Sequence, residues 1–263
     1  MKAMWSAASG MKGLQLKIDT ISNNLANVNT VGYKKQRLEF KDMMYEKLSA
    51  DSFQDGEGKP VVLEIGHGVL PSATARSFTN GNYEETGNEL DVAINGDGFF
   101  VINDQNGKAQ FSRDGSFKIS VRDDVGFLTT SDGYYVQGEG GEIELGEDIK
   151  TIDIDVNGNI SVTRGDSDEP EVIDKLQFVN FANPGGLESL GKNLYSKTTA
   201  SGDAIELEDG EGGELWQGYL ETSNVDVVEE MINLITAQRA YEVNSKTIQT
   251  ADSMLELASN LKR

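Results

Sequence analysis

Ala7, Met11, Leu14, Ile18, Ile21, Leu25 and Val28 follow one another in steps of four and three, which places all seven on one side of a helix. Near the other end Leu234, Ala237, Tyr241, Asn244, Ile248, Ala251, Leu255 and Ala258 repeat the pattern in steps of three and four. Stripes this narrow match a coiled-coil seam rather than the broader face a globular core requires. A chain with such a seam at each end has two ways to cover them. They can close on each other as a helical hairpin within one molecule, or they can be covered by other copies. Spacing alone leaves both open. Gly32 is the expected stop of the first helix, because glycine accepts the left-handed conformation beyond a helix end. Ser223 is the expected cap of the second, with Asp226 returning the bond three residues on.

Between the helices the period changes to two. Leu90, Val92 and Ile94 alternate up to Asn95-Gly96, and Ile152, Ile154 and Val156 alternate up to Asn157-Gly158, resuming at Ile160 and Val162. Asn-Gly between alternating apolar runs is the signature of a tight β-hairpin. "KLQFVNF" reads as a further strand, ended by Asn183-Pro184-Gly185-Gly186. The fold class that follows is α+β, with long coiled-coil-type helices at both termini flanking an antiparallel β-rich central domain. The expected division is a helix and linker start over residues 1–45, packing with the C-terminal helix. An extended linker follows over 46–75, then the β domain over 76–217 and the C-terminal helix over 218–263.

Charge is distributed unevenly over this plan. Residues 1–48 carry eight Lys/Arg against four Asp/Glu and residues 226–263 four against six, whereas residues 49–225 carry eleven against thirty-four. A net charge of −21 repels nucleic acid and anionic lipid. The nearly neutral ends are therefore the better surfaces for close packing with copies of the same chain. The absence of cysteine removes disulfides, thiol nucleophiles and thiolate metal sites together. His67 is the sole histidine and cannot by itself build a histidine metal site. "DIDVNGNISVTR" imitates a calcium loop through Asp153, Asp155, Asn157 and Gly158, but its twelfth position is Arg164, where a bidentate Glu is required. No catalytic constellation, metal site or cofactor is expected. Ser6, Ser9, Gly10, Lys12 and Gln15 interrupt any secretory-signal run in the first sixteen residues, and no stretch is long and apolar enough for membrane insertion.

One stretch sits badly with a simple helix. In "SNNLANVNT", Asn23, Asn24, Asn27 and Asn29 crowd the end of the first stripe, although asparagine amides compete for backbone groups and weaken helices. "SNNLANVNTVGYK" resembles the N-terminal signature of bacterial flagellar rod and hook proteins. "GYLETSNVDVVEEMINLITAQRAYEVNSKTIQTADSML" resembles their C-terminal signature. "TGNELDVAINGDGFFVI", "SRDGSF" and "GFLTTSDGYYVQG" are similar to their central domain, so the likeness covers nearly the whole chain. Within the family, "IGHGVLPSATARSFTNGNYEET" and "GLESLGKNLY" are most similar to the distal rod branch, with proximal rod proteins the nearest alternative.

The resemblance implies a non-enzymatic subunit of the flagellar basal body, exported without a cleaved signal peptide. It implies a homopolymer, a helical tube that carries torque from motor to hook, with other rod and hook proteins and the flagellar export apparatus as partners. In such a tube the terminal helices form the inner core. The implied assembly residues are Met11, Leu14, Ile18, Ile21, Asn23, Asn24, Leu25, Asn27, Asn29, Gly32 and Tyr33, facing Leu234, Arg239, Tyr241, Asn244, Ile248 and Leu255. The asparagines are then expected to satisfy helix-end backbone groups and to bond across subunit interfaces, fixing register as a polar seam residue does.

Overall fold

The computed structural model describes residues 2–48, 63–104, 107–122, 125–146, 149–165, 170–207 and 213–260. The chain divides into two compact units. The first combines Met1–Ala26, Gln36–Arg76 and Asp226–Arg263, and the second combines Asn27–Lys35 with Ser77–Val225.

In the first unit, helix α1 (Lys2–Ala26) packs along helix α2 (Val227–Asn260). Ala7 and Ile21 on α1 and Ala237 on α2 are the buried apolar points of the seam. Close approach depends on glycine. A Cβ on Gly10 would stand 3.2 Å from Asn244 Nδ2, and one on Gly13 would stand 2.9 Å from the Phe40 ring. Phe40 belongs to the strand Gln36–Asp42, which pairs antiparallel with Val69–Arg76. The register slips between Glu39 and Phe40, where Pro71 faces Phe40. Proline lacks the N–H a regular ladder needs and is tolerated at such a bulge. Tyr45–Leu48 pairs with Leu63–Gly66 in the same way. The stretch expected as an extended linker is thus strand-paired where it is described, and its loop-like start at 49–62 lies outside the described residues.

Both helix boundaries differ from expectation. The N-terminal helix ends at Ala26, well before Gly32, and the chain turns through Asn27–Thr30. There the Thr30 amide donates to the Asn27 carbonyl (3.2 Å) and the Thr30 hydroxyl to Asn27 Oδ1 (3.2 Å). Asparagine supplies the local alternative to helix, so it sets the stop. Gly32, at φ +67°, serves the turn that follows. The cap of α2 is Asp226, not Ser223. Asp226 Oδ1 accepts from the amides of Val228 (2.8 Å) and Glu229 (3.0 Å), while its carbonyl accepts from Glu230 (3.0 Å). Ser223 Oγ instead accepts from the Val225 amide (3.3 Å). Tyr219–Glu221, within the 218–263 segment assigned to the C-terminal helix, is instead a strand paired with Tyr83–Glu85.

The second unit is antiparallel β, as its alternation implies. Phe99–Asn103 lies at its centre, pairing with Ala109–Ser112, Tyr135–Gly138 and Phe178–Phe181. Its two faces feed separate apolar clusters. Phe100 packs with Val92, Ile94, Phe117, Leu128 and Val136, whereas Phe99 and Val101 pack with Phe111, Phe181 and Tyr195. That double burial explains an unbroken apolar run in place of alternation. Asn157-Gly158 closes a hairpin between Ile149–Ile154 and Asn159–Arg164 as expected, with Gly158 at φ +89°. Asn95-Gly96 does not. Val92–Asn95 pairs with Glu214–Gln217 from the far end of the unit, and the turn only redirects the chain into Phe99–Asn103. Part of the acidic 202–214 loop, residues 208–212, lies outside the described residues.

Gly115 makes this core intolerant of any side chain, since a Cβ there would fall on the Val92 carbonyl oxygen. Gly115→Ala must push 115 away from Val92, whose amide bonds the Gly115 carbonyl (3.0 Å). Such overpacking costs typically about 1–3 kcal/mol or more, which lowers the melting temperature of a unit this size by roughly 5–10 °C. Calorimetry of the variant checks this.

Candidate functional site

The assembly residues expected from sequence do not share one surface. On α1, Ile21 is buried, and Met11, Leu14, Ile18 and Leu25 are half-buried. On α2, Leu234, Asn244 and Ile248 are half-buried, Tyr241 and Leu255 are more open, and Arg239 is exposed. Most of the seam is therefore covered within the first unit, by the partner helix and by the strand pair Gln36–Asp42 and Val69–Arg76. Asn23 and Asn29 face outward, Asn27 is half-buried in the turn, and Gly32 and Tyr33 are buried within the second unit. His67 lies exposed between strands, its Nδ1 2.9 Å from the Met44 carbonyl oxygen.

Asn24 is turned inward and is 1% exposed. Its Oδ1 accepts from the Gln36 amide (2.9 Å), and its Nδ2 donates to the Gln36 carbonyl (2.9 Å) and to Glu230 Oε2 (3.0 Å). The side chain acts as a one-residue strand partner for Gln36 while holding the first turn of α2. Both amide protons and the amide oxygen thus find partners inside the first unit.

The surface that is free lies on the other side of α2. Val228, Met231, Ile232 and Ile235 are 67%, 51%, 56% and 47% exposed, and Val243 and Leu257 continue the ridge. At about 100° per residue, this ridge is centred roughly opposite the Ala237–Leu255 seam. A helix apolar on two sides needs two partners, and α1 supplies one.

The second unit holds a buried charge cluster that no periodicity signals. Glu221 Oε1 accepts from Lys34 Nζ (2.7 Å) and from the Gly81 amide (2.8 Å), and its Oε2 lies 3.4 Å from Arg113 Nη1. The side chains of all three charged residues are 1% exposed. Lys34 also donates to the Thr79 carbonyl (2.9 Å). Arg113 donates to Asn80 Oδ1 (3.1 Å) and the Gly96 carbonyl (2.9 Å), and its guanidinium sits 5.3 Å from the Phe99 ring centre. Asn224 adds neutral bonds, accepting from the Lys35 amide (2.7 Å) and donating to the carbonyls of Ser77 (2.9 Å) and Thr79 (3.0 Å).

Two cations share one carboxylate here. Burial, reinforced by Arg113, lowers the Lys34 ammonium from 10.5 to about 8 against the upward pull of Glu221. Between those values the unfolded chain binds the proton and the folded one does not, so stability rises with pH across that window and is flat in this contribution below it. Chemical denaturation from pH 7 to 10 is expected to show this rise in the parent protein and not in Lys34→Met.

A model of the flagellar basal body rod FlgEFG protein C-terminal region matches residues 217–261, and a flagellar hook protein FlgE/F/G D1 domain model matches residues 93–162. A flagella basal body rod protein model matches residues 4–34. The flagellar basal-body rod protein FlgG of Borreliella burgdorferi is 44% identical over 100% of this chain and 99% of its own length. The chain belongs to the flagellar basal-body rod protein family. FlgG of Caulobacter vibrioides is 42% identical and that of Bacillus subtilis 38%, each over the whole of both chains. The rod-protein matches at 4–34 and 217–261 contain Asn24 and Lys34 at one end, and Glu221 and Glu230 at the other. The two buried polar knots thus join residues of the two terminal signatures. Only Asn24 stood among the expected site residues. Lys34 and Glu221 lay inside the quoted signatures without any local mark of burial.

Proposed function

We propose that this chain is a structural subunit of the distal flagellar rod. It polymerises with copies of itself into a helical tube that carries torque from motor to hook, meets other rod and hook proteins at its ends, and catalyses nothing. It reaches the basal body through the flagellar export apparatus without signal cleavage. What supports this reading is end-to-end similarity to FlgG proteins in a chain whose C-terminal helix keeps a second apolar ridge uncovered. The free ridge is a contact between copies. Burying a large apolar side chain stabilises by roughly 1.5–3 kcal/mol, so the four on each subunit supply the main driving force of such a contact. The low net charge of residues 226–263 permits that packing. Electron microscopy and sedimentation of concentrated protein test the proposal. Tubes of uniform diameter are expected, and a protein that stays monomeric at millimolar concentration overturns it.

A further inference from the structure

We propose that residues 219–225 are a closing strap for the second unit, and that seating Glu221 between Lys34 and Arg113 is the step that locks its core. The unit is built from Asn27–Lys35 and Ser77–Val225, so the strap is its last segment in chain order. Closure draws three separated points, Lys34, Gly81 and Arg113, onto the one carboxylate of Glu221. Backbone bonds follow the same path. The Gly32 amide donates to the Glu221 carbonyl (2.9 Å), the Thr222 amide to the Asn82 carbonyl (2.8 Å), and the Gly218 amide to the Asp91 carbonyl (2.7 Å).

The seat is shaped for this one segment. A Cβ on Gly81 would fall on the Thr222 carbonyl oxygen, so the strap lies directly on the backbone at 81. Without the strap, Lys34 and Arg113 are two cations among carbonyl oxygens, and Arg113 Nε has no hydrogen-bond partner even in the closed unit. Two such charges cannot be dehydrated side by side without a counter-charge. The seat therefore stays wet, and the adjoining face of Phe99 with it, until Glu221 arrives. Residue 215, four positions before the strap, is a buried member of the cluster containing Phe100, so strap and core are drawn in together. If the chain is delivered end-first as a rod subunit, a deduction that rests on the function proposed above, the unit cannot complete itself until nearly all of the chain has emerged.

The test uses full-length protein carrying Trp5→Phe, which leaves Trp216 as the sole tryptophan, 5.1 Å from Tyr83 and 5.9 Å from Tyr219 by ring centres. Glu221→Gln removes the counter-charge, and Gly81→Ala obstructs the strap without removing a charge. Each is expected to shift Trp216 emission to the red. Each should also speed hydrogen exchange in the core strands Phe99–Asn103 and Ala109–Ser112 by about a hundredfold or more. Adding Lys34→Met to Glu221→Gln returns the seat to its parental net charge of +1, with Arg113 still bonded to Asn80 and the Gly96 carbonyl, and should recover at least about tenfold of that protection. Two results overturn the proposal: parental protection of the core strands while only 219–225 exchanges, or no recovery on adding Lys34→Met. Neither depends on whether tubes form, so the strap and the rod reading fail separately.

Discussion

A chain carrying Ile232→Glu and Ile235→Glu is expected to remain monomeric at concentrations where the parent protein forms tubes, and to melt within a few degrees of it. Both side chains are about half exposed on the ridge of α2, away from the seam with α1. Exposed substitutions of this kind change stability by about 0.5 kcal/mol or less, and glutamate is the better helix former. In a tube the same positions are covered. Each subunit then forfeits roughly 1.5–3 kcal/mol per lost apolar contact and must also dehydrate a carboxylate, which costs several more. Every subunit repeats the penalty, so assembly fails outright. Sedimentation and electron microscopy report assembly, and dichroism at 222 nm reports the helices. Tubes from the doubly substituted chain would remove the ridge from the subunit contact.

Which parts of this molecule were legible in its sequence follows from how local their causes are. The stripe on α1 and the hairpin at Asn157-Gly158 were readable because side-chain period and turn chemistry act over a few residues. The cap of α2 was ambiguous for a physical reason. Ser223 and Asp226 both suit an N-cap, and Asn224 between them is engaged by remote partners, accepting from the Lys35 amide and donating to the carbonyls of Ser77 and Thr79. The pairing of Val92–Asn95 with Glu214–Gln217 is equally remote, and Asn95-Gly96 is as good a redirecting turn as a hairpin turn. The heptad spacing on α2 marks a single stripe. Val228, Met231, Ile232 and Ile235 fall outside that stripe, because a second apolar face departs from the one-sided amphipathic pattern of a heptad seam. Lys34 and Glu221 were unreadable in a stricter sense. Charged residues are ordinarily exposed, and nothing near either residue announces a counter-ion 187 positions away.

Asn24 carries the sharpest consequence for the first unit, and it distinguishes one asparagine from its neighbours. Asn24→Ala deprives the Gln36 amide and carbonyl of their partner and takes a donor from the buried Glu230. A buried polar group left unsatisfied costs about 1–3 kcal/mol, so the losses together come to roughly 3 kcal/mol or more. A penalty of that size is about a hundredfold in the opening equilibrium, and hydrogen exchange of Lys2–Ala26 and Gln36–Asp42 should quicken accordingly. The second unit, whose core lies elsewhere, should exchange as before. Asn29→Ala, at an exposed position in the same cluster, is the control and should stay within about 0.5 kcal/mol of the parent. Asn24→Asp is nearly isosteric but exchanges the donor to Glu230 for a second carboxylate about 3 Å away. Like charges that close cannot both ionise at low cost, so one must take up a proton. The folded chain then holds a proton that the unfolded chain releases above the ordinary carboxylate range. Asn24→Asp is therefore expected to be less stable than Asn24→Ala at pH 7 and to recover as the pH is lowered towards 5, while Asn24→Ala shows no such recovery relative to the parent. If Asn24→Ala proves as mild as Asn29→Ala, the buried amide does not join α1, Gln36 and α2, and the crowding of asparagines at the end of the first stripe needs another cause.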